Sequence, residues 1–584
     1  MHTSRTAFHP AAEAAPAMRA SHRPWLPLLR ARSAGAIAVG LALYLTLAAN
    51  VALWQALAEG GRAPSVYLPR MLGMGAWLFF GLIALLSFFA WPRVIKPAGL
   101  VLVLLAGGVQ HYMLGYHMVM DPSMAANVLQ TDMHETRDLL GWTLLRDVGL
   151  LLLPAALWLW RQPVRAQSAA RRLGGNALLL VGALALAVAG SLLFARQLAP
   201  LMRNEPQLRY MMNPLASLYS TGMAALRPHL QRSTQRVAIS GDAHLLAPAG
   251  GAGRPPLLVL VVGETARADH FALNGYARDT TTELARLGVM SWPHATSCGT
   301  STLASVPCMF SHLGRTAFEA RGSEYENLLD VLQAAGLAVL WVDNQAGCKG
   351  VCARVPTAAA NDAAQQGRYP ALCRDGECLD EVMLEGLDAR VAALPPERRA
   401  RGVVLVMHQM GSHGPAYARR SSAALKRFGP ECTRTTLSDC SHAELVNAYD
   451  NSIAYTDHFL GRTIGWLQQQ AARFDTGLLY MSDHGESLGE YGLYLHGMPY
   501  ALAPEVQKHV PLVAWLGGGL GRHAGIDEGC ARAGTQAAVS HDNLYPTVLG
   551  LMGVGSSTYQ RTLDLFAPCR RSGTAVAQAP AAAP

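Results

Sequence analysis

The apolar positions divide the chain into two unlike halves. Over the first ~200 residues they gather into runs of roughly 20, the length that crosses a hydrocarbon core. These runs lie at 35–57, 71–91, 97–118, 139–160 and 175–195. The first and last are uninterrupted. The third carries Gln110, His111 and His117, and the fourth Arg146 and Asp147, which places their polar ends near the interface. A cleaved signal peptide is shorter and ends in a small-residue site; here the first run is long and four more follow, so it reads as an anchor.

Beyond the fifth run the pattern changes. Short apolar stretches, PLLVLVV (256–262), LAVLWV (337–342), VVLVM (403–407) and GLLYM (477–481), alternate with helix-period segments such as YENLLDVLQAAG and ELVNAYDNSIAYTDHFLGRTIGWLQQQ. Continuous apolar strands between helices predict a mostly parallel sheet covered on both faces. Between the halves, 197–255 reads as a linker, with NEPQLRYMMNPLASLYSTG as amphipathic surface helices and LAPAGGAGRPP as a hinge. The expected organisation is a basic tail (1–33), a five-helix membrane domain (34–196), the linker (197–255), an α/β domain (256–570) and a disordered tail (571–584). No internal repeat is present.

Composition sharpens this division. The 584 residues are 51% hydrophobic and 15% charged, and the mean hydropathy of +0.17 is high for a soluble protein. The net charge of +8 does not call for a nucleic-acid partner, because it follows topology. Arg5, Arg19, Arg23, Arg30 and Arg32 precede the first run, Arg93 and Lys96 follow the second, and Arg161, Arg165, Arg171 and Arg172 follow the fourth. The third loop is mainly acidic, with Asp121, Asp132, Glu135 and Asp138. With positive loops inside, five spans put everything after residue ~196 outside the inner membrane, in the periplasm.

The ten cysteines agree with that placement, since all lie after residue 297. An even number in the outer segment reads as disulfides formed in an oxidising compartment. Sequential pairing gives Cys298 with Cys308, Cys348 with Cys352, Cys373 with Cys378 and Cys432 with Cys440, leaving Cys530 with Cys569. A zinc knuckle would need paired CxxC elements, and there are none.

In parallel sheets the site collects at the carboxyl ends of the strands. Here those ends read Gly263-Glu264-Thr265, Asp343-Asn344, His408 and Ser482-Asp483-His484-Gly485-Glu486. Singly, a DH pair is often a helix cap beside a surface histidine, and GET can simply start a helix. Together they converge on carboxylates plus imidazole, a donor set that suits catalytic zinc. The segment SCGTSTLASVPCMFS (297–311) offers Thr300, Ser301 and Thr302 as hydroxyl nucleophiles. Spacing alone does not choose among them.

Five ordered motifs then give a resemblance over almost the whole chain. VVGETARADHFALNGY, SCGTSTLASVPCMFS, DNQAGCKGVC, HQMGSHGP and SDHGESLGEYGLYLHGMPY are similar to the phosphoethanolamine transferases that modify lipid A, relatives of the mobile colistin-resistance enzymes. Their soluble half belongs to the alkaline phosphatase/sulfatase superfamily, so the resemblance implies an α/β/α sandwich behind five transmembrane helices. It also implies that Glu264, Thr302, Asp483 and His484 hold a catalytic zinc, with Thr302, the second Thr of CGTST, as nucleophile. His413 and His496 match residues that assist the substrate phosphate or bind a second zinc. Asn344, Gln345 and Lys349 fall in the loop that meets the donor headgroup. In the membrane half NVLQTDMHETRDLL resembles a loop reaching the active site, which makes Asn127, Thr131 and Glu135 substrate contacts; the other reading is a solvated acidic face.

The reaction implied is transfer of phosphoethanolamine from phosphatidylethanolamine to a lipid A phosphate by a monomeric membrane-embedded enzyme, lowering susceptibility to polymyxins. A sulfatase would need C/S-x-P-x-R, which SCGTSTL lacks. Phosphoglycerol transferases of the lipoteichoic-acid type lack this cysteine pattern. Remaining alternatives are transfer to inner-core Kdo or heptose or to a periplasmic glucan, a periplasmic phosphodiesterase, and a degenerate lipid-binding scaffold.

Overall fold

The computed structural model describes residues 30–58, 64–131, 136, 139–230, 236–247, 253–362, 367–434 and 436–571. The greater part of the basic tail, part of the hinge, Glu135 and almost all of the C-terminal tail lie outside these residues.

In the membrane half, α1 (Ala34–Ala48) and α2 (Val51–Ala58) are followed by α3 (Pro64–Phe89), α4 (Ile95–Tyr116), the short α5 (Pro122–Gln130), α6 (Trp142–Arg161) and α7 (Ala169–Leu193). Among the described residues four helices are long and apolar enough to cross a membrane, or five if α1 and α2, bent by 49°, make one span. The first expected span, 35–57, is therefore broken rather than continuous. Its break at Asn50 is splinted by side chains. The Asn50 amide donates to Leu45 O (2.9 Å) and Asn213 O (2.7 Å), and Gln110 accepts from Val51 N (2.9 Å) while donating to Ala48 O (3.0 Å). Asn213 donates to Ala49 O (3.1 Å) and Ala106 O (2.7 Å). Backbone groups freed at membrane depth must be satisfied inside the protein, and these three amides do it. Across α4 and α6, His111 pairs with Asp147 at 2.8 Å. Small and branched side chains such as Ala38, Leu41, Ala42, Leu78 and Ala106 fill the interior between the helices.

Two further helices follow, α8 (Ala195–Asn204) and α9 (Leu215–Leu230), the latter apolar over Leu215–Leu226. Ser220 of α9 donates to Met120 O at 2.7 Å and so braces the loop before α5. Residues after 236 are docked on the catalytic half: Val237 bridges Tyr325, and His244–Leu245 pairs antiparallel with Val554–Gly555.

The catalytic half is an eight-stranded sheet. Its strands are β1 (Pro256–Gly263), β2 (Met290–Thr296), β3 (Ala338–Asp343), β4 (Thr357–Ala359), β5 (Val403–His408), β6 (Asp475–Ser482), β7 (His509–Leu516) and β8 (Val539–Ser540). The spatial order is β8-β2-β7-β6-β1-β5-β3-β4. Only β7 runs antiparallel to its neighbours. Alternation along β1 sends Leu258, Leu260 and Val262 into one core and Leu257, Val259 and Val261 into the other. Both faces are thus covered, which is why these strands read as unbroken apolar runs.

Two helices matter for the site. The first, α10 (Thr302–Met309), starts directly after the loop that leaves β2. The long α11 (His442–Gln470) is started by a capping box, in which Ser441 accepts from Glu444 N while Glu444 accepts from Ser441 N. All five sequential disulfides are formed.

Candidate active site

The carboxyl ends of β1 and β6 are adjacent, with Gly263 opposite Ser482, so Glu264 and Asp483-His484 emerge side by side. Close packing holds them there. Gly411, at φ 52°, passes so near that a Cβ would lie 2.6 Å from Glu264 O, and only glycine tolerates both conditions. Thr265 N donates to Asp483 Oδ1 (3.1 Å), and Thr265 Oγ1 donates to Glu264 Oε1 (2.7 Å).

Glu264, Asp483 and His484 are all fully buried and bring their ligand atoms within 4.8 Å of one another. His484 Nδ1 donates to Gly485 O at 2.9 Å, which leaves the Nε2 lone pair facing the carboxylates. Nε2 lies 3.3 Å from Glu264 Oε1 and 3.4 Å from Asp483 Oδ2. His484 Nε2 and Asp483 Oδ2 are buried with no hydrogen-bond partner. Two carboxylates and an oriented imidazole with orphaned inward atoms fit a divalent cation.

The electrostatics agree. Burial and the Glu264 charge push Asp483 up to about 7. Burial opposes the charge on His484, yet Asp483 and Glu264 hold it up at about 10. For Glu264, burial is outweighed by the contact with the His484 imidazole and its charge, with His413 and His408 adding, and the carboxyl stays well below its usual range. Protons serve here as the counter-charge that a cation would replace.

Thr302 sits at the first turn of α10, its Oγ1 3.3 and 3.2 Å from the two Glu264 oxygens. Thr300 is turned elsewhere and donates to Met498 O at 2.5 Å. Among the three hydroxyl candidates of the loop, Thr302 is the one recorded against the ligand cluster. The His496 ring lies 4.2 Å from that of His484, tilted by 43°, and His413 lies 5.3 Å from His496 between ring centroids. His496 Nδ1 is 3.1 Å from Glu486 Oε2. Burial beside His484 pushes His496 down to about 3, while burial raises Glu486 well above the usual carboxylate range. The proton between them therefore rests on Glu486.

A cavity of about 250 Å³ opens in front of Thr302, His413 and His496. Its far wall is built by the membrane half, with Tyr112 and Met113 of α4, Met118, Met124 and Val128. The lining combines polar side chains with a larger set of apolar ones, as an amphiphile requires. Asn127 and Thr131 line it, as does Lys349. The remaining two residues of the expected headgroup loop do not. Gln345 donates to Glu264 Oε2 at 3.0 Å, and Asn344 is buried, donating to Cys378 O and Asp380 Oδ1, each at 2.9 Å. His408 stands behind the cluster, 3.3 Å from Asp343. The methionine wall and the Gln345–Glu264 contact were not anticipated. A hint of the first was the density of methionines between residues 113 and 124.

Comparisons with known proteins follow the same division. The Sulfatase family model matches residues 256–554, and the model described as phosphoethanolamine transferase EptA/EptB matches 78–227. The chain is 38% identical to phosphoethanolamine transferase EptA of Salmonella typhimurium over 83% of this chain and 87% of that protein. It is 37% identical to phosphatidylethanolamine transferase Mcr-1 of Escherichia coli over 89% and 94%. The solved integral membrane lipooligosaccharide phosphoethanolamine transferase A of Neisseria meningitidis superposes with a TM-score of 0.85 at 32% identity, covering 92% of this chain and 99% of that one. Unbroken likeness through both halves, with a catalytic threonine candidate held against a metal-ligand cluster, makes this chain an enzyme of the EptA family of phosphoethanolamine transferases.

Proposed function

We propose that the enzyme transfers phosphoethanolamine from phosphatidylethanolamine to a phosphate of lipid A, with zinc in the Glu264–Asp483–His484 cluster and Thr302 as covalent carrier. The observation that carries this reading is one cavity lined both by Thr302, with His413 and His496, and by a largely apolar wall from the membrane half. A water-soluble phosphodiester would have no use for the methionine wall. Disulfides confined to the catalytic half support an inner-membrane protein with that half in the periplasm.

In this reading the donor lies with its acyl ends along Tyr112, Met113 and Val128 and its phosphate beside Lys349. A zinc ion, when bound, supplies Lewis acidity that favours the deprotonated hydroxyl and offsets phosphate charge. Thr302 Oγ1 passes its proton to the facing Glu264 carboxylate and attacks phosphorus; the P–O bond to glycerol breaks, and diacylglycerol leaves with a proton from His496 or His413, which the acceptor hydroxyl later replaces. Gln345 holds Glu264 in place, and the neutral His496 shares the Glu486 proton, which makes it the better-supplied donor. An acceptor phosphate oxygen then attacks the phosphoethanolamine–Thr302 ester, and Thr302 Oγ1 regains its proton. The expected phenotype is lower susceptibility to polymyxins through masking of lipid A phosphates.

Intact mass spectrometry of the full-length protein with phosphatidylethanolamine should show an adduct on Thr302, absent in Thr302→Ala, which should also lose transfer. Wild-type transfer by Thr302→Ala, or an adduct on Thr300, would falsify the assignment.

A further inference from the structure

The loop bearing Thr302 and the turn bearing Asp483-His484 leave strands that do not touch. Between β2 and β6 lies β7, so the two exits are two strand spacings apart, roughly 9–10 Å. The ladder there is imperfect. Pro511 lacks an N–H, the β7–β2 register shifts between Val510 and Leu512, and β7 follows β6 only as far as Met481 opposite Leu512. Both exits do bond to the segment entering β7, Ser297 N donating to Lys508 O (2.7 Å) and Gly485 N to Gln507 O (3.0 Å), so the backbone relates nucleophile loop and ligand turn only through that intermediate segment.

His541 spans that gap. It follows the edge strand β8 and is 1% exposed. Its Nδ1 accepts from Cys298 N at 3.0 Å, and its Nε2 donates to Ser482 O at 2.9 Å. One ring thus ties the residue before Asp483 to the loop that ends at Thr302. Both partners are backbone groups, so side-chain variation at 298 or 482 would not relieve the need for it.

The turn that carries His541 is itself braced. Asp542 accepts from Arg315 N at 2.8 Å, and Asn543 accepts from Ser540 N (2.8 Å) and donates to Leu563 O (2.7 Å). Cys298 is held by every handle it has: its N–H by His541, its carbonyl by Arg315 Nε at 3.2 Å, its sulfur by Cys308. The disulfide joins the loop only to its own helix α10. Of these contacts, the His541 ring is the one that refers the loop to the ligand-bearing strand.

We infer that His541 is a positioning residue, setting the separation of Thr302 from the Glu264–Asp483–His484 cluster through paired hydrogen bonds to Cys298 N and Ser482 O. This rests on the transfer chemistry proposed above. Asn at 541 can place an oxygen near the position of Nδ1, and Gln can place an amide N–H near that of Nε2. The two substitutions separate the contacts.

The test uses full-length protein with phosphatidylethanolamine in detergent micelles, reading kcat, KM, adduct formation and zinc content. His541→Ala should lower kcat by about 10²-fold, the scale of an ångström-sized misplacement, with KM and zinc content unchanged. His541→Asn should recover most of the rate and His541→Gln should not, because the Cys298 contact sets the nucleophile. If His541→Ala fails to fold, the Asn and Gln variants decide: equal rates overturn the inference. A wild-type kcat in His541→Ala, or a loss of zinc that accounts for its fall, also overturns it. Thr302→Ala run alongside keeps the two ideas apart. Activity there defeats the transfer chemistry, whereas a dead Thr302→Ala with a fully active His541→Ala defeats the role of His541 alone.

Discussion

Buried polar groups mean opposite things in the two halves of this molecule. In the membrane half, Asn50, Gln110 and Asn213 are spent on backbone groups released by a broken helix, and each amide finds carbonyl or N–H partners. In the catalytic half, Asp483 Oδ2 and His484 Nε2 are equally buried but left without partners, aimed at one point. The apolar residues invert in the same way. Leu178, Leu192 and Leu193 are about three-quarters exposed on α7, facing outward as lipid contact requires, while Leu258 and Leu260 are sealed inside the sheet. Burial alone therefore does not identify function; ligand atoms that converge on one point, two of them without a partner, do.

The largest expected effect breaks that contrast at the site. Glu264→Gln removes one negative charge from the cluster while keeping its shape and its hydrogen-bonding capacity. Zinc content of the purified protein should fall, and transfer should drop by at least about 10²-fold, the scale on which even the outer partners of metal ligands act. Elemental analysis beside a transfer assay checks this. Full zinc occupancy with wild-type turnover would mean the orphaned atoms serve something other than a metal.

A smaller effect compares the same substitution in both halves. Leu260→Ala opens a cavity beneath β1 and should destabilise by about 2–5 kcal/mol. Leu192→Ala on α7 removes a side chain that is 74% exposed and should leave thermal unfolding in detergent nearly unchanged. Equal shifts in melting temperature would show that α7 is packed against something, such as a second copy of the chain.

How much of this was readable in advance depended on how local each cause was. β1, β3, β5 and β6 are buried on both faces, so their runs announce themselves. β2 and β7 carry Pro293 and Pro511 and mix buried with half-buried positions, which hides them. Glu264, Asp483 and His484 directly follow strand ends and were legible from position, and Thr302 from the motif it shares with the family. Gln345 meets Glu264 across 81 residues, and His541 meets Cys298 across 243. No window of sequence contains both partners. The break at Asn50 is of the same kind, for Asn213 lies 163 residues away.

The smallest effect concerns a third sort of buried polar contact, one that titrates. His458 on α11 places Nδ1 2.8 Å from Glu283 Oε1 and Nε2 3.5 Å from Glu381 Oε1, clamping α11 between two other segments. The Glu381 hydrogen bond, working against burial and helped by Glu283, raises His458 from 6.5 to about 9. Because the folded value lies above the unfolded one, the charged imidazole stabilises the fold fully below pH 6.5, and that contribution is lost as pH rises through about 9. His458→Gln should therefore lower the melting temperature at pH 6 and converge on wild type near pH 10, by an amount of order 1 kcal/mol for a partly exposed pair. Parallel melting curves at every pH would show that the histidine acts there by shape alone. Convergence would mark it as a charge clamp, a half-buried polar group neither splinting backbone nor awaiting a ligand.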